Sequence, residues 1–138
     1  MVIADTGFWL ALANTNDKFH RRAKEALKGL KVPLITTWPV MTETSHLLLG
    51  KLGILSALNF IKSWQKNAFQ IFDLAEKHRE TVYKLMKKYA DLPMDLADAS
   101  LVILAEELEE GLILTTDQRD FLTYRWKSHK PFKNLLLE

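Results

Sequence analysis

Four acidic residues stand where short apolar runs end or where helices begin. Asp5 follows Val2-Ile3-Ala4, Glu43 follows Trp38-Pro39, Asp98 follows Met94-Asp95, and Asp117 follows Leu112–Thr115. Carboxylates brought together repel one another and their pKa values climb, a conflict that a hard divalent cation removes. Mg²⁺ and Mn²⁺ prefer oxygen ligands, and Mg²⁺ usually fills its remaining positions with water and substrate phosphate. Such an ion activates water and stabilises charge on a phosphate under attack. The chain has no cysteine and no closely spaced pair among its four histidines, which argues against a zinc site. The chemistry that these residue types suit is metal-assisted hydrolysis of a phosphate ester.

The elements that must position these acids can be read from the apolar pattern. The 138 residues are one domain's worth of chain, and the balance of 48% hydrophobic and 26% charged residues is that of a globular protein rather than a disordered one. No repeat, linker or low-complexity stretch divides it, so residues 1–138 form a single domain. Val2–Ala4, Val32–Thr37, Phe69–Phe72 and Leu112–Thr115 read as short strands. Helices are expected around Phe19–Leu30, from Pro39 to about Leu49, along the stripe Ile54, Ala57, Leu58, Ile61 and Trp64, around His78–Tyr89, and from Asp95 to Glu110 with Gly111 as the terminating residue. Alternating Leu122, Tyr124 and Trp126 suggest a last, partly exposed strand. Short strands separated by long helices indicate an α/β fold, a parallel sheet of four or five strands flanked by helices.

In such sheets ligands lie beyond the carboxyl ends of the strands, and helices that follow parallel strands start at that same edge. Asp5 and Asp117 lie just past strand ends, while Glu43 and Asp98 occupy early helical turns. All four should therefore face one end of one sheet.

With these residues in view the chain resembles the PIN-domain nucleases. Val2-Ile3-Ala4-Asp5-Thr6-Gly7 looks like the opening strand and its aspartate, and Trp38-Pro39-Val40-Met41-Thr42-Glu43 like the second motif. Met94-Asp95-Leu96-Ala97-Asp98-Ala99 looks like the third, and Leu114-Thr115-Thr116-Asp117 like the fourth. The resemblance covers nearly the whole chain in order. It implies a PIN nuclease fold, dependence on Mg²⁺ or Mn²⁺, and hydrolysis of RNA to leave a 5′-phosphate and a 3′-hydroxyl. Small stand-alone members are commonly VapC-type toxins, homodimers silenced by a cognate antitoxin. On this reading Asp5 and Asp98 ligate the metal directly, and Glu43 and Asp117 act through the outer shell.

Other side chains admit two readings. Asp95 and Asp98 have the spacing of an N-cap and its N3 partner, so Asp95 caps while Asp98 ligates. Thr6 and Thr115 could orient carboxylates, or be an ordinary turn and strand residue. Asp120 could be a loop acid or an outer ligand. His46 shares a helix face with Glu43 but is more readily a solvated residue, and His20 and His78 sit in apolar stripes. The tail from Tyr124 to Lys133 interleaves aromatics with Arg125, Lys127, Lys130 and Lys133, a mix suited to single-stranded RNA, or to a half-buried edge strand with a basic turn.

Alternative functions are weaker. Asp5-Thr6-Gly7 matches the aspartic-protease triplet, but that fold is almost wholly β. A phosphotransferase using Asp5 as nucleophile would want a second aspartate where Gly7 stands. The serious rival is an inactive PIN-fold module that binds RNA or protein. The lack of a signal peptide or a long apolar span, and of cysteine, leads to the expectation of a cytoplasmic protein away from membranes.

Overall fold

The computed structural model describes residues 1–137. Val2–Ala4 forms β1, fully buried, as expected of a strand with helices on both faces. It pairs in parallel with β2 (Leu34–Thr37) on one side, Val2 opposite Leu34, and with β4 (Leu112–Leu114) on the other, Ala4 opposite Leu114. β3 (Phe69–Phe72) and β7 (Lys133–Asn134) complete an all-parallel sheet ordered β3-β2-β1-β4-β7. The chain moves outward from β1 to β2 to β3, then returns to lay β4 on the opposite side of β1. The reversal lies between β1 and β4, where open α/β sheets hold their ligands.

Helices α1 (Thr6–Ala13), α2 (His20–Gly29), α3 (Trp38–Lys51), α4 (Ile54–Gln65), α5 (Arg79–Lys88) and α6 (Leu96–Leu108) connect the strands. Thr37 caps α3 and Pro39 occupies its first turn, where a missing N–H costs nothing. Asp95 caps α6 by accepting the Asp98 N–H at 2.8 Å. One aromatic cluster, Trp9 with Phe60 and Phe69, fastens α1 and α4 to β3. A second joins Tyr89, Phe121, Tyr124 and Phe132 beneath the C-terminal segment.

The structure revises two of these expectations and adds to them. The residues after Asp5 form α1; its sequence TGFWLALA is apolar on all sides, so no helical stripe announces it. Leu122 and Tyr124 do not belong to a strand, because Asp117 caps a short helix, α7 (Gln118–Thr123), leaving only Arg125–Trp126 as β5, paired with β6 (Lys130–Pro131) in a hairpin. The left-handed residue ending α6 is Glu109 at φ 55°, not Gly111. Gly111 is required for space: a Cβ there would lie 2.3 Å from the Trp126 ring nitrogen. The Ile54–Trp64 stripe, whose spacing suits a core helix or a dimer interface, is buried only in part. Ala57 is buried, but Ile54, Leu58 and Ile61 face water, as does Leu55 at 73% exposure. No helix among the described residues is long and apolar enough to cross a membrane.

Candidate active site

β1 ends at Asp5, which turns directly into α1 and caps it. One carboxylate oxygen accepts the Thr6 N–H at 2.7 Å and the other accepts the Thr115 hydroxyl at 2.8 Å. The side chain is held on both sides and is only 7% exposed. Burial pushes its carboxyl up to about 6 against the pull of those two bonds, and the nearby charges of Glu43 and Asp117 add to the rise.

The Thr115 hydroxyl has a second task, accepting the Asp117 N–H at 3.0 Å, so one side chain ties the ends of β1 and β4 together. Thr6 performs the same office toward α3, its hydroxyl donating to Glu43 Oε1 at 2.6 Å. Asp98 lies in the first turn of α6, where its Oδ2 accepts the Tyr124 hydroxyl at 2.8 Å. Burial lifts the Asp98 carboxyl to about 7, opposed by the Tyr124 bond and reinforced by the charges of Asp95, Asp5 and Asp117. The Asp117 carboxyl is also raised, first by burial and then by the Asp120 side chain. The Tyr124 phenol, buried and bonded to Asp98, is held far above its ordinary range.

Asp5, Glu43, Asp98 and Asp117 therefore feel one another at one edge of the sheet, beyond the switch between β1 and β4. The tightest grouping is a different set. One carboxylate oxygen each from Asp98, Asp117 and Asp120 lie within 4.8 Å of one another. Asp120 is 7% exposed, and the countercharge at its carboxylate is Arg119, whose Nε donates to it at 2.9 Å. All the donors are hard oxygens and three of the acids are disfavoured in their charged form. That set fits a divalent cation of the Mg²⁺ type, with Asp98 and Asp117 central to it. Asp120 was legible only in the repeated spacing: Asp117 and Asp120 stand as N-cap and N3, as Asp95 and Asp98 do, with Asp120 N–H donating to Asp117 Oδ1 at 3.3 Å. Asp95 is an exposed cap, as its position suggested.

Three supporting residues carried no sequence signal. Tyr124 is fully buried and comes from the segment read as a strand. Asn134 extends the sheet past the end of β4, its side-chain amide donating to the Thr115 carbonyl at 3.0 Å and its carbonyl accepting the Thr115 N–H at 3.3 Å. Gly7 lets α1 meet the loop after β4, since a Cβ on it would fall 1.9 Å from Thr116 Oγ1. Gly7→Ala should lower stability by about 1–3 kcal/mol through overpacking, read as a fall in melting temperature. Adding Thr116→Ala should recover part of the loss; an unchanged melting temperature for Gly7→Ala would mean that the two segments separate freely.

The basic tail lies elsewhere. Lys127 pairs with Glu109 at 2.5 Å and its N–H bonds Glu106, both near the C-terminal end of α6, about 15 Å of helix from Asp98. Lys133 is registered with Leu112, at the start of β4 rather than its end. The Arg125 guanidinium donates to the carbonyls of Leu122, Thr123 and Tyr124, and Lys130 lies over the Trp126 ring. Arg125, Lys127 and Lys130 thus make their contacts within the C-terminal segment and with the end of α6.

The fold has counterparts among known proteins. VapC20 of Mycobacterium tuberculosis, described as a toxin that cleaves the sarcin-ricin loop, superposes with a TM-score of 0.80 at 19% identity, covering 86% of this chain and 91% of that one. Ribonuclease VapC26 of Mycobacterium tuberculosis is 25% identical over 124 residues, 90% of this chain and 92% of that protein. The PIN domain family profile matches residues 2–127, nearly the full length. The chain belongs to the PIN-domain family.

Proposed function

We propose that this protein is a Mg²⁺- or Mn²⁺-dependent endoribonuclease, the toxin of a toxin–antitoxin pair acting on RNA in the cytoplasm. The observation that carries the reading is the convergence of Asp5, Glu43, Asp98, Asp117 and Asp120 at the sheet's switch point, with Asp5, Asp98 and Asp117 held above the usual carboxylate range. Repelling, partly buried acids are costly in a metal-free protein, and a cation with a phosphodiester beside it gives them a use. The relatives named ribonuclease and toxin support the substrate class and the antitoxin partner.

When bound, the ion supplies an activated water and charge neutralisation at the phosphate. The protein's own residues supply position. Asp98, Asp117 and Asp120 would hold the ion, with the Asp5 carboxylate near enough to add its charge. Thr115 and Tyr124 restrain the carboxylates of Asp5 and Asp98 by donating a hydrogen bond to each. Glu43, fixed by Thr6, is placed to orient water or accept a proton. In-line attack by water would break the P–O3′ bond, the water giving up a proton and the leaving O3′ taking one, which leaves a 5′-phosphate and a 3′-hydroxyl. The exposed apolar face of α4, with Ile54, Leu55, Leu58 and Ile61, supports a homodimer or a docked antitoxin, since large contiguous apolar patches mark protein contacts.

The test is cleavage of RNA by the purified protein with and without chelator, followed by analysis of the product ends. Cleavage should vanish with EDTA, return with Mg²⁺ or Mn²⁺, and leave 5′-phosphates. Metal binding without any cleavage would turn the reading to an inactive RNA- or protein-binding PIN module.

A further inference from the structure

A groove of about 650 Å³ opens beside the acids, between the first turns of α3 and α6, within the size range of small-ligand sites. Trp38 and Leu96 line it, 40% and 47% exposed, together with Leu74 and the catalytic candidate Glu43. Trp38 opens the helix that carries Glu43, and Leu96 opens the helix that carries Asp98. The Trp38 ring packs edge-to-face with Trp64, centroids 5.3 Å apart at 84°, a contact that restrains it while leaving it 40% exposed. Among the described residues no lysine or arginine lines the groove; its charged residues are Glu43, Asp73 and Asp95, and His46 lines it too.

That lining repels a phosphate and welcomes a flat, uncharged, partly apolar group. We infer that the groove is a base-binding subsite, in which one unpaired nucleobase flanking the scissile phosphate stacks on Trp38 and packs against Leu96. The inference rests on the ribonuclease reading and narrows its substrate to RNA whose cleaved segment is single-stranded or flipped out. The chemistry agrees with the division of the site: the acids with an ion would receive the phosphate, and the aromatic wall that includes Trp38 beside Glu43 the neighbouring base. Stacking on an aromatic side chain contributes about 1–3 kcal/mol per base, and Asp73 and Asp95 add acceptors for an exocyclic amine.

The experiment uses a short oligoribonucleotide that the wild-type protein cuts, and copies carrying an abasic nucleotide at each position flanking the cut. Trp38→Ala should lower kcat/KM about five- to thirtyfold, mostly through KM, the equivalent of roughly 1–2 kcal/mol. Trp38→Phe should keep most of the activity. One abasic position should cost the wild type a similar factor and cost Trp38→Ala nothing further. Leu96→Ala should show the same non-additivity with a smaller loss, which covers the case of a Trp38 variant that fails to fold. Losses that simply multiply, or a Trp38→Ala protein that cuts like the wild type, would overturn the subsite. So would a change in the particle mass of Trp38→Ala by light scattering, which would make this face a protein contact. A wild-type protein that cuts no RNA in the presence of metal sinks the ribonuclease reading itself, and the subsite with it. A wild type that cuts beside an unaffected Trp38→Ala sinks the subsite alone.

Discussion

Asp98→Asn should give a folded protein that cuts RNA at least a hundred- to a thousandfold more slowly than the wild type, the scale on which charge aimed at a reacting phosphate is felt. Asn can still accept the Tyr124 hydroxyl that Asp98 holds at 2.8 Å, so the packing of the second aromatic cluster survives. What goes is the negative charge needed to hold an ion between Asp98, Asp117 and Asp120. The same substitution removes a carboxyl that is raised to about 7, so the metal-free variant should melt higher than the wild type at pH 8. Asp5→Asn should lose cleavage in the same way but gain less in melting temperature, since both Asp5 oxygens accept hydrogen bonds and Asn offers only one acceptor; Asp95→Asn should change little because Asn caps a helix as well as Asp. Initial cleavage rates and melting temperatures of the three variants decide it. Near wild-type cleavage by Asp98→Asn beside a dead Asp95→Asn would reverse the roles of this pair.

The metal-free protein should grow less stable as pH rises from 5 to 8, the opposite of ordinary acid denaturation in that window. Asp5 sits at about 6 and Asp98 at about 7 in the fold, both above the unfolded value of 3.8, and Asp117 moves the same way. A folded pKa above the unfolded one means that the native state binds the extra proton. Stability is therefore gained as pH falls through 7 and then 6, and the gain is complete only near 4. At 1.36 kcal/mol per pH unit, and discounting Asp98 and Asp117 because water reaches them, the swing is on the order of a few kcal/mol. That corresponds to roughly 5–10 °C in melting temperature for a domain of this size. Millimolar Mg²⁺ should recover much of it at pH 7.5, about 2.7 kcal/mol if it is present at a hundred times its Kd, and much less at pH 5, where it competes with protons. The slope should flatten in Asp98→Asn. A melting temperature indifferent to both pH and metal would mean that the acids neither repel one another nor hold an ion.

The sequence by itself determined the parts of this protein that depend on local rules. Val2–Ala4, Leu34–Thr37 and Leu112–Leu114 are apolar, β-rich and short, and in a parallel sheet the residue after each such strand is delivered to one edge. Asp5, Glu43, Asp98 and Asp117 were legible because each stands at a strand end or a helix start, and backbone direction alone carries those to the same side. The capping role of Asp95 was likewise local, fixed by its three-residue spacing to the Asp98 N–H. Tertiary structure decided whatever depends on which segments meet. Tyr124 reaches Asp98, and Asn134 reaches the backbone of Thr115, only because the C-terminal segment folds back over α6 and adds β7 beside β4. Gly7 is small because Thr116 lies against it, a contact between residues more than a hundred positions apart. The lysines of the tail looked suited to RNA, but charge pattern carries no address: Lys127 and Lys133 lie at the far end of α6 and β4 from the acids. The α4 stripe had the periodicity of a core helix and stays exposed, because amphipathic spacing fixes that a face seeks a partner and leaves open whether that partner lies in the same chain.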